Sequence, residues 1–219
     1  MKLYPLDPTS RLATNIARIS RTLRLNVIVT RVKQLDGLII VANGTPDDIA
    51  LSIICYHSNG DKVVGIVKPS GTRLSVIDVL PMYSRINKIM IIMDQEDQSL
   101  DSIFEEAQRK LTSKGFRITN KIDEGRLRIY ECEFGGRSIR LILVVNGLDE
   151  IQTSKHTIED HLLKAAQIFG IEIDFNFKNS KDAWRRLKSY HEEIFRNLKE
   201  RSIIDVFPQQ FKGCEYLKK

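Results

Sequence analysis

Apolar positions recur at helical spacing over residues 10–23, where Leu12, Ile16, Ile19 and Leu23 share one face. Residues 26–33 (NVIVTRVK) read as a strand, and Asp36-Gly37 follows as a hairpin-turn dipeptide. Residues 38–42 (LIIVA) are an uninterrupted apolar run, the kind that lies inside a sheet covered on both faces. Thr45 is placed as a helix N-cap with Pro46 at the first helical position, and the helix runs to about Tyr56. A turn over 57–62 leads to a strand at 63–67. After Pro69-Ser70-Gly71-Thr72 a helix reaches about Arg85, interrupted near Pro81, and 88–93 form the next strand. The stripe of Leu100, Ile103, Phe104, Ala107 and Leu111 predicts a helix over 99–114, closed by Gly115.

This alternation has the spacing of βαβ units and implies parallel strands. Beyond Phe116 the rhythm changes. Strands over 116–122, 127–134 and 138–145 are separated by the hairpin signals Asp123-Glu124-Gly125 and Gly135-Gly136. Thr157 opens a helix to about Phe169. A last helix over 182–199 turns Trp184, Leu187, His191, Ile194 and Leu198 inward, and a loose basic tail follows. The expected fold is α/β: a mainly parallel sheet flanked by helices, with an antiparallel hairpin extension and a C-terminal helix. Three parts are expected: a basic helix-strand segment (1–34), an α/β core (35–170) and a helical appendage (171–219).

With 219 residues the chain can bury a core that needs no staples. No apolar run reaches the length needed to cross a bilayer, and the N-terminus lacks the order of a signal peptide. Cys55, Cys132 and Cys214 lie far apart, as expected of reduced thiols in a cytoplasm. The net charge of +6 is uneven. Residues 1–34 hold Lys2, Arg11, Arg18, Arg21, Arg24, Arg31 and Lys33 against one acid, Asp7, whereas the rest of the chain balances. A basic end suggests a polyanion, and nucleic acid is the first candidate partner; a solvated basic face is the alternative.

Candidate chemistry sits where predicted strands end, because ligands of open parallel sheets bind at the carboxyl edge. Asn43-Gly44-Thr45-Pro46-Asp47 follows one strand, Gly71-Thr72 the next and Asp94-Gln95-Glu96-Asp97 the third. If the extended conformation persists, Asp94 and Glu96 point the same way and offer the hard oxygen ligands that Mg²⁺ prefers.

This order of motifs, over residues 36–113, resembles the Toprim domain of topoisomerases, primases and overcoming-lysogenization-defect nucleases. That family reads strand, Glu-Gly-x-x-Asp, helix, strand, Gly-Thr or Gly-Gly, helix, strand, Asp-x-Asp. His156 to Ala165 (HTIEDHLLKA) is similar to the Leu-Glu helix start of the nuclease branch. The chain also looks like a set of prokaryotic Toprim-related proteins. The resemblance implies Mg²⁺-dependent action on nucleic-acid phosphodiesters, with Asn43, Asp94 and Glu96 in the catalytic positions. It implies Asp94, Glu96 and Glu159 as metal ligands and Gly71 and Thr72 as phosphate contacts; the basic N-terminal segment adds Arg18, Arg21 and Arg24 as expected nucleic-acid contacts. Asn43 departs from the family, which has Glu there; an amide can ligate a cation but cannot take up a proton at neutral pH. Reduced activity, or a scaffold that binds nucleic acid or protein without catalysis, follows as the alternative.

Each carboxylate also has a structural role open to it. Asp47 and Asp48 stand in a first helical turn, where the dipole favours anions, and so do Glu159 and Asp160. Asp94, Glu96 and Asp97 fit a solvated loop. The four histidines (57, 156, 161 and 191) lack metal-ligand spacing and read as surface or packing residues.

Overall fold

A computed structural model describes the whole chain apart from Asn43, Thr45, Thr72, Phe175 and Ser202. Among the described residues the strands form one seven-stranded sheet, in the order β1-β3-β2-β4-β7-β6-β5. These are β1 (Lys2–Pro5), β2 (Gly37–Val41), β3 (Val63–Val67), β4 (Lys88–Asp94), β5 (Arg117–Glu124), β6 (Leu127–Phe134) and β7 (Arg137–Asn146). The first five in spatial order run parallel; β6 and β5 fold back antiparallel. The α/β class, the mainly parallel sheet and the hairpin extension are therefore present as expected.

β2 and β4 lie side by side in parallel, with Val41 opposite Ile92. β7 continues the register with Asp94 opposite Asn146. Three strand exits thus open at one edge. The central strands carry Leu38, Ile39, Ile40, Ile89, Met90 and Ile91, all buried, because both faces are covered.

On one face lie α1 (Arg11–Leu23), α2 (Asp47–His57), α4 (Ile158–Ile168), α5 (Ser180–Arg186), α6 (His191–Glu200) and α7 (Pro208–Lys218). On the other face lie a 3₁₀ helix (Arg73–Tyr83), which holds Pro81, and α3 (Leu100–Ser113). Ser10 caps α1 and Ser99 caps α3, each accepting a backbone N–H of the first turn.

Four expectations change. Residues 26–33 form a single bridge, Leu3 to Ile28, instead of a strand, and β1 takes the edge of the sheet. Asp36-Gly37 makes no hairpin: Asp36 N–H donates to Val63 O, and Gly37 begins a strand parallel to β3. The helix expected over 182–199 is broken by a 3₁₀ turn at Lys188–Tyr190; the ring of His191 is only half-buried and stacks on Trp184 at 3.8 Å. The tail is not loose. It forms α7, which buries Gly213, Cys214 and Leu217 against the sheet. A Cβ added at Gly213 would lie 2.8 Å from Met90 Sδ and 2.9 Å from Val144 Cγ2, so only glycine lets α7 approach this closely. Residues 1–34 and 171–219 accordingly belong to the same hydrophobic core as the central strands.

Candidate functional site

The carboxyl edge of the parallel strands borders a cavity of about 680 Å³, whose lining includes Asp47, Asp94, Glu96, Lys68, Arg73 and Lys181. Asp94 is the last residue of β4 and is 2% exposed. Its Oδ1 accepts from Asn146 Nδ2 at 3.0 Å and from the Ile158 backbone N–H at 3.0 Å. The second bond caps α4 from a distance, since Thr157 makes no side-chain cap. Asp47 opens α2 and its Oδ1 accepts from the same Asn146 amide at 3.1 Å. The N-termini of α2 and α4 therefore converge on this pair, where the helix dipoles favour negative charge.

Glu159, 6% exposed on the first turn of α4, is close enough to raise the pKa of both aspartates. Its Oε2 is buried with no hydrogen bond within 3.5 Å among the described residues, although the neighbouring Thr157 hydroxyl favours the charged carboxylate and works against burial. Burial, followed by the charges of Asp94 and Glu159, pushes Asp47 well above the ordinary carboxylate range. Asp94 is pushed up to about 7, chiefly by burial, with the Asn146 bond working against the shift and the Glu159 charge adding to it. Glu159 is also raised by burial. Three acids in one buried cluster cannot all ionise without cost unless a cation joins them.

Glu96 meets a different fate. The chain leaves β4 by a left-handed turn, with φ of 58° at Glu96, so the extended conformation does not persist past Asp94. Two backbone bonds with His156 hold this turn, at 2.8 and 2.9 Å. Lys181 of α5 then reaches the cavity, where Nζ donates to Glu96 Oε1 at 2.7 Å and stands 3.9 Å from Asp94 Oδ2. Burial opposes the charge on Lys181, but the Glu96 bond and the charges of Asp94, Glu96 and Glu159 prevail and raise its pKa. The two acids expected to share an ion are thus bridged by an ammonium group.

A network supports Asn146 from behind. Gln210 of α7 donates to Asn146 Oδ1 at 2.9 Å and stands 3.1 Å from His161 Nε2. Gly147 N–H also donates to that nitrogen at 3.1 Å, so His161 carries its proton on Nδ1, which donates to Val206 O at 2.6 Å. Burial holds His161 down to about 4, and the ring is neutral. On the far side, buried Arg126 donates to Gln95 Oε1 at 2.7 Å and pairs with Asp149. Gly147 passes between these groups at φ 135°; a Cβ there would lie 2.5 Å from His156 Cβ.

The structure brings Asp94, Glu96 and Glu159 to one crevice together with Asp47, the last residue of the first candidate motif, and adds Asn146, Lys181 and Gln210, which pattern reading did not single out. Asn43 and Thr72 lie outside the described residues. Gly71 is exposed at φ 107°, two residues before Arg73. Arg18 and Arg21 are exposed along α1, and Arg24 is exposed at its C-cap. That helix starts at the crevice edge, where Asn15 donates to Asp48 at 2.9 Å, and runs back toward the opposite edge of the sheet. The cations lining the cavity come from later segments: Lys68, Arg73, Lys155 and Lys181.

The donors present are hard oxygens, matching Mg²⁺ in kind, and the buried Glu159 oxygen and mutually raised acids fit a cation. Among the described residues no group of three or more His, Cys, Asp or Glu side chains is disposed to enclose an ion directly. An ion here would be held by fewer than three of these side chains and would keep water in its remaining positions. No helix among the described residues is long and apolar enough to cross a membrane. No family model, curated protein or solved structure matches this chain.

Proposed function

We propose that the chain is a Toprim-related, Mg²⁺-dependent protein that acts on nucleic-acid phosphodiesters. The observation that carries this reading is the meeting of Asp47 and Asp94 on the Asn146 amide, with the charge of Glu159 close by, at the exits of parallel strands and under a rim of lysine and arginine. Asp94 and Asp47 would hold the ion, with water in its remaining positions and the charge of Glu159 close by. When bound, Mg²⁺ polarises a phosphoryl oxygen and lowers the pKa of a coordinated water. The chain's own part is to fix the carboxylates through Asn146 and Ile158 N–H, and to place Lys68, Arg73 and Lys155 against a phosphate's negative charge.

Calorimetric titration with Mn²⁺ and incubation with labelled single-stranded DNA and RNA test this. Saturable Mn²⁺ binding that is lost in Asp94→Asn, together with metal-dependent cleavage, supports the reading. Neither binding nor cleavage by the wild-type chain sinks it.

The bond from Lys181 to Glu96 favours a second reading, a non-catalytic scaffold that binds nucleic acid or protein, because a resident ammonium already satisfies one acid. Asn43 in place of the family's Glu points the same way. Metal binding or cleavage gained only in Asn43→Glu would select the scaffold.

A further inference from the structure

Two further cavities adjoin the one at the carboxyl edge of the sheet. The central one shares Arg73 with a cavity of about 230 Å³ that also holds Lys110 of α3. It shares Glu96, Lys155 and Lys181 with a cavity of about 180 Å³ that also holds Asn179, the N-cap of α5, and Arg185 of α5. α3 and the 3₁₀ helix cover one face of the sheet and α5 the other. Through these shared residues the cavities connect as one groove from α3 past the strand ends to α5, with Lys110 at one end, Arg185 at the other, and Asp47 and Asp94 between them among Lys68, Arg73, Lys155 and Lys181.

We propose that this groove holds an extended single strand of nucleic acid. Its flanking phosphates lie at Arg73 and Lys110 on one side and at Lys155 and Arg185 on the other, with a central phosphodiester over Asp94. This rests on the reading of the carboxylate cluster given above. Each flank is smaller than the roughly 300 Å³ at which small-molecule pockets begin, so neither stands as a site of its own. As extensions of the central cavity they suit one more backbone group each. The described lining residues of all three cavities include no aromatic ring, so there is no platform for base stacking. Recognition runs through phosphates, which makes it tolerant of sequence and dependent on salt. Glu106 lines the first flank beside Lys110, and Asp182 pairs with Arg185 at 3.1 Å. Each acid reduces the positive charge that its neighbouring cation presents.

The test is fluorescence anisotropy on the full chain without divalent ions, using labelled oligothymidylates and oligouridylates. A dodecanucleotide should bind at least tenfold more tightly than a dinucleotide, and more tightly than a duplex of equal length. The double variant Lys110→Gln with Arg185→Gln, both on helix surfaces, should lose about tenfold toward the dodecanucleotide and nothing toward the dinucleotide. Its salt slope should fall by about 1.4, at about 0.7 per phosphate contact on a single strand. A melting curve checks that the variant is folded. Equal affinity for both lengths, equal affinity for duplex, or an unaffected double variant would overturn the groove. The thymidylate and uridylate arms tell whether DNA or RNA is preferred. Length-dependent binding without Mn²⁺-dependent cleavage would leave the groove standing and the proposed chemistry refuted; cleavage with no length dependence would do the reverse.

Discussion

Asn146 spends its two amide protons on two acids from different segments, Asp47 at 3.1 Å and Asp94 at 3.0 Å. Those bonds are what allow two buried carboxylates to sit within reach of one another. Gln210 completes the arrangement by donating to the Asn146 oxygen, so the orientation of the amide is fixed by its neighbours.

The first prediction removes that donor. Asn146→Asp replaces it with a further buried acid, and the expected loss is about 3–5 kcal/mol at pH 7, the scale of an uncompensated buried charge. Thermal unfolding followed by circular dichroism should show a midpoint lower by roughly 2–4 °C per kcal/mol for a chain of this size. At pH 5 the deficit should shrink, because the acids then take up protons. An unchanged midpoint at pH 7 would show that the amide is not holding the pair.

Stability should also depend on pH in a direction opposite to that of a salt-bridged acid. The folded-state pKa of Asp94 is raised from 3.8 to about 7, so between these values the folded chain binds more protons than the unfolded one. Stability contributed by the protonated form is complete below about pH 4 and is lost as pH rises toward 7. Asp47 and Glu159, also raised, act in the same sense. Urea midpoints across pH 4 to 8 should fall on the alkaline side, and Asp94→Asn should flatten the profile. A wild-type profile that rises with pH through this window contradicts the buried cluster.

The central strands were legible in the sequence because burial on both faces leaves unbroken runs such as residues 38–42, which need no partner to be recognised. The site was half legible. Asp94 and Glu159 stand beside strand and helix boundaries that the pattern marks, whereas Asn146, Lys181 and Gln210 reach the crevice through contacts 52 to 99 positions apart in sequence. Asp47 hid behind its helix: a carboxylate in a first turn is explained by the dipole alone, and only its burial shows a second partner. Residues 26–33 misled because β-branched residues can fill a buried loop as well as a strand. Val27 is packed in the core while Val29 N–H makes one bond to Leu3 O. The order of α7 depended on Gly213, whose meaning appears only when Met90 and Val144 are in place.

Docking of α7 gives a third prediction. Gly213→Ala places a methyl against Met90 and Val144 and should cost about 1–3 kcal/mol, the usual range for overpacking. Gln210→Ala leaves the Asn146 oxygen without this donor and should cost a similar 1–3 kcal/mol. The two differ in their effect on the site. Gln210→Ala loosens Asn146 and should weaken Mn²⁺ binding beyond any change in stability; Gly213→Ala should leave it unaltered once the variant is folded. Tryptophan fluorescence and calorimetry separate these outcomes, and two variants with identical metal affinity would mean that Gln210 packs without positioning.

Lys181 decides between an ion site and a closed one. Its ammonium bonds Glu96 at 2.7 Å and lies 3.9 Å from Asp94, so it contributes the positive charge that a divalent ion would otherwise supply. In Lys181→Met the alkyl stem is kept and the charge is lost. Asp94 loses a neighbour that lowers its pKa, so its protonation should shift further upward. The variant should be less stable than wild type without metal, by about 1 kcal/mol given that Lys181 is more than a third exposed and partly screened. Added Mn²⁺ should restore more than is lost, because stabilisation by a ligand grows with its affinity for the folded state. The measurement is the thermal midpoint of both proteins across a Mn²⁺ series. A steeper rise for Lys181→Met means that lysine and metal compete for one place; parallel curves mean that they occupy separate places; and a flat response from both removes the metal from the site altogether.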